Sequence, residues 1–218
     1  MISAIAPSGK TYKKLRMQFS SQFQIRRHTS DVQCGASLDG GIDGFLSRRS
    51  GNHRKHLKKQ ERNAKEKGVS FERCSPASAE ETSKIYDRMI AVEWASWKGL
   101  EEDGMLNPKM KPFYAVMLRR LAGWHSARVM FARHEGKDIG FIFGGLAGPV
   151  YRGQQFSYDQ AWSDASIGNL LQLEQIRWLC EENAARYDMG PFWGDRMEYK
   201  THWTEQRFPI ETWVLARK

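Results

Sequence analysis

A chain of 218 residues can bury a substantial core and is sized for one large domain, or one domain with an arm. Its 40% hydrophobic and 27% charged residues suit a globular protein, and no apolar run approaches the roughly 18 residues of a membrane span or forms a secretory signal near the start. The net charge of +9 admits anionic partners, while three widely spaced cysteines, Cys34, Cys74 and Cys180, argue against a disulfide framework and for a reducing, cytoplasmic setting.

Residues 1–44 show weak periodicity and end in the turn-rich Leu38-Asp39-Gly40-Gly41-Ile42-Asp43-Gly44. They read as a partly ordered arm with one strand near Phe23–Val32, and the main domain runs from 45 to 218. A polar helix follows over Asn52–Lys67, capped by Ser50 or Asn52 and stopped by Gly68. Between 48 and 67 stand nine Lys or Arg against Glu61 and Glu66, a local +7. Such a stripe faces phosphate, nucleic acid or an anionic lipid surface, or is a solvated helix face. Val69–Glu72 alternates as a short strand. Ser78 and Glu81 form a capping box for a helix that is apolar on two sides, through Ile85, Met89 and Val92 and through Tyr86, Ile90, Trp94 and Trp97. Residues 99–108 read as a loop. Phe113, Met117, Leu121 and Trp124 then recur at helical spacing, and the helix ends near Gly123.

The period changes after that. Ala127, Val129 and Phe131 alternate, 134–138 is a turn, and Ile139–Leu146 and Val150–Tyr158 complete a three-stranded meander joined at Gly148-Pro149. Gly144-Gly145 inside a strand predicts a bulge or a close backbone approach. From Ile167 the pattern is helical, with Leu170, Leu173, Ile176, Leu179 and Cys180 on one apolar stripe that would place Cys180 in the core. Tyr187–Gly190 and Phe208–Leu215 are further strands. The order predicts an α+β fold: a mixed, largely antiparallel sheet with helices packed on both faces.

Five segments carry the chemistry. They are Glu93-Trp94-Ala95-Ser96-Trp97-Lys98-Gly99, Tyr158-Asp159, Ser166-Ile167-Gly168-Asn169, Tyr187-Asp188-Met189-Gly190, and Glu198-Tyr199-Lys200-Thr201-His202-Trp203. In this order the set resembles the acyl-CoA half of a GNAT-type acyltransferase, in the branch of CelD-like acetyltransferases related to Fem-type peptidyltransferases. The resemblance spans roughly residues 45–210 and is strongest from 150 to 203. The usual R/Q-x-x-G-x-G/A run is replaced here by the single glycine of Ser166-Ile167-Gly168-Asn169.

The resemblance implies a GNAT-like fold and an acyl-CoA-dependent N-acyltransferase, with acetyl-CoA or another acyl-CoA as co-substrate, no metal, and an amine-bearing acceptor that could be anionic or a peptide. The donor would lie along Gln155, Phe156 and Ser157, with its pyrophosphate on the helix start at Ser166, Ile167, Gly168, Asn169 and Leu170, where free N–H groups and the helix dipole favour anions. Gly168, lacking a Cβ, would let a phosphate approach the backbone. Tyr199 would be the acid for the leaving thiolate, and Asp188 the acceptor anchor or base. Glu93 is a further possible base. Trp97, Lys98, Tyr158, Asp159 and Lys200 would border the substrate, with Lys200 binding a phosphate or pairing with Asp188. Four of these have a structural alternative: Gly168 as a loop glycine, Asp188 as a turn cap, Trp97 as core, the Lys200–Asp188 pair as loop order.

Two other readings stay open. Fem-type relatives use aminoacyl-tRNA as donor, and the basic stripe could make this a non-catalytic nucleic-acid-binding module, although no aromatic lies between 48 and 67 to stack bases. CelD-like and Fem-type proteins usually carry a second N-terminal half where this chain has about 44 residues, which predicts a compact single-domain form or an acceptor site completed by another subunit or a second copy. His53 and His56 lack supporting ligands at metal spacing, and no Gly-x-Ser-x-Gly elbow or Walker A run occurs.

Overall fold

The computed structural model describes residues 1–101, 104–194 and 197–218. By contact the chain divides into a smaller unit, residues 1–37 with 188–218, and a larger unit, residues 38–187. This differs from the single boundary expected after 44. Regular elements fill the first 37 residues, expected as a partly ordered arm with one strand, and the C-terminal segment returns to pair with them.

In the smaller unit, β1 (Ile2–Ile5), α1 (Lys10–Phe19) and β2 (Phe23–Ser37) precede the end of β7 (Arg186–Pro191), the short α8 (Lys200–Trp203) and β8 (Gln206–Arg217). β8 runs antiparallel to β2 from Phe23↔Arg217 to Gly35↔Gln206, and pairs β1 on its other edge. The strand expected near 23–32 is therefore 15 residues long. Cys34, Gly35 and Ala36 of β2, Ile210 and Glu211 of β8, and Trp203 of the turn beside them are buried along this ladder.

The larger unit opens with α2 (Gly41–Ser47) and α3 (Gly51–Glu66), then β3 (Ser70–Cys74), α4 (Ala79–Trp94), α5 (Trp97–Glu101), a 3-10 turn at Gly104–Leu106 and α6 (Met110–Gly123). β4 (Ala127–His134), β5 (Lys137–Ala147) and β6 (Val150–Tyr158) form the meander, and α7 (Ile167–Glu181) leads to the start of β7. Adjacent strands β3, β4, β5 and β6 pair antiparallel. The stretch expected as a loop is instead α5 and the 3-10 turn, and residues 102–103 within it lie outside the described residues.

Local chemistry accounts for most boundaries. Ser50 Oγ accepts the His53 N–H at the start of α3, and Gly68 just past its end takes φ +73°, a conformation open to glycine. Ser78 and Glu81 form the full capping box of α4. Strand alternation then builds a core on each side of the sheet. Val129, Phe131, Phe141 and Phe143 pack with Met89 of α4 and Leu118 of α6. Met130, Ala132 and Ile142 point the other way, onto Ile167, Leu171 and Trp178 of α7. The α+β class with helices on both faces is borne out.

A charged cluster ties α4 to the meander. Arg88 donates to Glu72 at 2.9 and 3.0 Å and to Asp138 at 2.8 and 2.9 Å, with its guanidinium 3.9 Å above the Phe131 ring. Arg133 reaches the same two carboxylates at 3.0 and 3.4 Å. The Arg88 hydrogen bonds hold Glu72 below the usual carboxylate range, against the opposing pull of burial. A depressed folded pKa means that this stabilisation is complete above the unfolded carboxylate value and is lost as pH falls through the folded one. Arg88→Met should cost about 2 kcal/mol at neutral pH, a figure kept low because the partners are partly solvated. Urea unfolding should show the gap between wild type and variant closing as pH is lowered below about 4; a constant gap would mean that the cluster acts through packing alone.

Candidate functional site

β6 carries an irregularity at the residues that face both helical layers. Its register with β5 slips between Phe143↔Gln155 and Gly144↔Gly153, leaving Gln154 as an extra residue. The irregularity expected at Gly144 is therefore present, with the inserted residue on the partner strand. Gln155 and Ser157 turn to one face and Phe156 and Tyr158 to the other, as strand geometry requires. Ser157 is buried, and its Oγ donates to the Phe156 carbonyl at 2.8 Å.

After β6, Asp159 accepts the Ala161 N–H at 2.9 Å and starts the 3-10 turn Gln160–Ala165. Ser166 then sits in the left-handed region, φ 57°, and begins α7 without a side-chain cap. Its carbonyl accepts from Asn169 and Leu170, so the amides that lead the helix are available along its axis. Ile167 and Leu170 are buried in the core and can offer a ligand only their backbone. Gly168 has a role different from the expected one. A Cβ built there would meet Tyr158 Cε1 at 3.1 Å and Phe156 Cε2 at 3.3 Å. The glycine lets α7 close on the two rings of β6, so the space left by its missing side chain is filled by aromatic carbon.

The other face of β6 meets the segment from α4 to α5. Lys98 Nζ donates to Gln155 Oε1 and to the Phe156 carbonyl, each at 2.9 Å, and Gln155 Nε2 donates to Tyr114 Oη at 2.6 Å. Glu93 is 0% exposed; its Oε1 accepts the Met105 N–H at 2.9 Å and lies 4.0 Å from Lys98 Nζ, while Oε2 has no hydrogen-bond partner. Trp97 is half-buried at the start of α5. Glu93, Lys98 and Gln155 are thus brought together, and Tyr114 joins them unforeseen, since no sequence feature separates its stripe from that of Phe113.

A cleft at the start of α7 is lined by Gln60, Asn63, Ala64 and Lys67 of the α3 side and by Asp164, Ala165 and Ser166. Asn169 Nδ2 approaches Gln60 Oε1 at 3.5 Å. The basic stripe is divided by this packing. Lys67 follows Gln60 and Asn63 at helical spacing and faces the cleft, whereas Lys55, Lys58, Lys59 and Arg62 are exposed on the side away from the buried Leu57 and Ala64. Helical phase, applied to the charge run, would have found Lys67.

The remaining candidates lie in the smaller unit. Asp188 is buried, and its carboxylate accepts from the Gly190 N–H at 2.8 Å and from Gln33 Nε2. Lys200 is buried and donates to the Pro191 carbonyl at 2.7 Å. Tyr199 is half-buried, and burial, with the nearby Cys34 thiol a smaller cause, pushes its phenol up to about 12. Among the cysteines, burial raises the Cys74 thiol to about 11, with Glu72 adding to it, and also raises Cys180, so neither resembles an activated thiolate. Cys180 is half-buried, less enclosed than its stripe predicted. Among the described residues no group of three or more His, Cys, Asp or Glu could hold a metal, and no helix is long and apolar enough to cross a membrane.

A family model described as an acetyltransferase (GNAT) domain matches residues 51–201. No curated protein matches the chain significantly. Among solved structures, a conserved protein of unknown function from Bacteroides thetaiotaomicron is similar with TM-score 0.66 at 9% identity, over 99% of this chain and 69% of that one. The C-terminal domain of a putative lysylphosphatidylglycerol synthetase from Agrobacterium fabrum gives 0.65 at 12% identity, over 99% and 67%. FemX gives 0.64 at 12% identity, over 92% and 67%. The chain thus spans about two thirds of these neighbours, and at such identities the likeness is one of fold.

Proposed function

This chain belongs to the GNAT acetyltransferase family, and we propose that it transfers an acyl group directly from a CoA thioester to an amine acceptor. The observation that carries the donor assignment is the start of α7. A 15-residue helix begins directly after β6 and its 3-10 turn, without a side-chain cap, beside a polar cleft that holds Lys67. Uncapped amides, the helix dipole and one cation fit a pyrophosphate, with the Asp164 carboxylate at the rim as the opposing charge. A bound acyl-CoA would supply a thioester whose C–S bond breaks as the acceptor nitrogen bonds the carbonyl carbon, leaving CoA as the thiol.

The protein's own groups then have distinct tasks. Ile167 and Gly168 present backbone N–H groups to phosphate, the Ser166 N–H being held by the Ser163 carbonyl, and Asn169 holds the α3 side of the cleft through Gln60. Phe156 and Tyr158 wall the α7 side of β6. Lys98, anchored to Gln155 and the Phe156 carbonyl, sets a fixed positive charge at the β6 edge, and buried Glu93 orients it. Tyr199 donates to the leaving sulfur, and Asp188 with Lys200 holds the turn after β7 and serves the acceptor amine.

A second reading, transfer from aminoacyl-tRNA, is favoured by the solvent-facing cations of α3 and by the fold likeness to FemX. Calorimetry with CoA and filter binding with RNA across a salt series separate the two. Lys67→Glu should lower CoA affinity roughly ten-fold. Reversing Lys55, Lys58 and Arg62 to Glu should leave CoA affinity intact and abolish residual RNA binding. Tight, salt-sensitive RNA binding without CoA binding would replace the acyl-CoA donor by tRNA. Gly168 is unsuited to this test, because any side chain there strikes Phe156 and Tyr158 first.

A further inference from the structure

α6 is apolar on two sides, and only one of them is used by the core. Tyr114, Leu118 and Ala122, spaced four apart, pack against the sheet. Phe113, Val116, Arg120 and Trp124, spaced three and four apart, share another side and are exposed, Phe113 at 50%, Val116 at 45% and Trp124 at 83%. Of the stripe that the sequence marks, Met117 and Leu121 pack against the core, while Phe113 and Trp124 at its ends are left in solvent. Monomeric proteins seldom leave a helix face of this kind bare.

The charges carried by the face itself have one sign. Lys109 and Arg120 lie on it, Arg119 is exposed beside it, and residues 104–134 contain no Asp or Glu at all. Two copies brought together on this face would set like charges against each other. An aromatic and aliphatic stripe flanked by Lys and Arg, with a tryptophan at its end, complements a surface that is apolar within and anionic at its boundary. We propose that α6 docks this protein on an anionic lipid surface, with Phe113, Val116 and Trp124 entering the headgroup region and Lys109, Arg119 and Arg120 pairing with lipid phosphates. Phe113 packs edge-on against Tyr114 at 5.3 Å between ring centroids, and Tyr114 bonds Gln155, so the docked face adjoins the β6 edge. The docking does not depend on which acyl donor is used.

Co-sedimentation with vesicles tests this directly. The full chain should bind vesicles of phosphatidylcholine and phosphatidylglycerol in equal parts and be left in solution by phosphatidylcholine alone. Lys109→Glu with Arg120→Glu should weaken binding at least about thirty-fold. Phe113→Ser with Trp124→Ala should abolish it, with unchanged circular dichroism and melting, because these side chains are exposed. No vesicle binding, equal binding to both compositions, or binding indifferent to either pair of substitutions overturns the proposal. So does a dimer in sedimentation equilibrium that Trp124→Ala dissociates, which would make the face an interface between copies. CoA titration of the same preparation is a separate reading: CoA binding without vesicle binding removes the lipid surface alone, and the reverse removes the donor assignment alone.

Discussion

Lys98→Met should cost about 3 kcal/mol of stability in urea unfolding, because it breaks an ion pair whose acid cannot reach water. Glu93 is fully buried, and Lys98 Nζ at 4.0 Å is the cation beside its carboxylate. The lysine side chain is itself only 14% exposed, so solvent screens the pair weakly. Methionine keeps the length of the stem and loses the ammonium, removing the donor that Lys98 gives to Gln155 Oε1 and one of the donors to the Phe156 carbonyl, which keeps Ser157 Oγ. Glu93→Gln alone should cost less than about 1 kcal/mol, since an amide oxygen still accepts the Met105 N–H. In the Glu93→Gln background, Lys98→Met should then cost only the lost hydrogen bonds, roughly 1 to 2 kcal/mol. The double-mutant cycle should therefore show a coupling of at least about 1 kcal/mol. Additive effects would mean that Lys98 is held by the β6 edge alone, and the orienting role of Glu93 would fall.

What the sequence revealed about this region follows the range of the interactions involved. The α4 capping box was legible because Ser78 and Glu81 are three residues apart and satisfy each other. The meander was legible because its short apolar runs, broken by the turn at 134–138, are buried on both faces. β2 was only partly legible: the strand was expected over Phe23–Val32, but its end at 33–37, buried at Cys34, Gly35 and Ala36, was not, because its partner strand lies near the other end of the chain. The same limit hid the side of α6 that packs, because two apolar stripes compete on one helix and only tertiary contact chooses Tyr114 over Phe113. At the candidate site, the helix start at 166–170 was visible as a glycine-bearing turn. The reason for the glycine was not, because Phe156 and Tyr158 come to it across a strand and a turn. Lys67 was counted as one charge among nine, although its phase with Gln60 and Asn63 sets it apart.

Tyr199→Phe should lower kcat by roughly two orders of magnitude with little change in KM for the thioester, the pattern of an interaction made only in the transition state. Burial holds the phenol at about 12, so it remains protonated throughout the neutral and mildly alkaline range. That value lies above the roughly 8.5 of a thiol, and complete proton transfer to the sulfur would run uphill. The role that fits is hydrogen-bond donation, strengthening as the C–S bond breaks and negative charge gathers on sulfur. Two consequences separate this from a packing role. Phenylalanine preserves the half-buried ring, so the melting temperature should move little while turnover falls. The wild-type pH–rate profile should also show no basic limb from this group below about 12, so any limb near neutrality belongs to the acceptor amine or its base. Thiol release by the Phe variant at the wild-type rate, with the true acceptor present, would return Tyr199 to a structural role and leave the leaving sulfur to solvent.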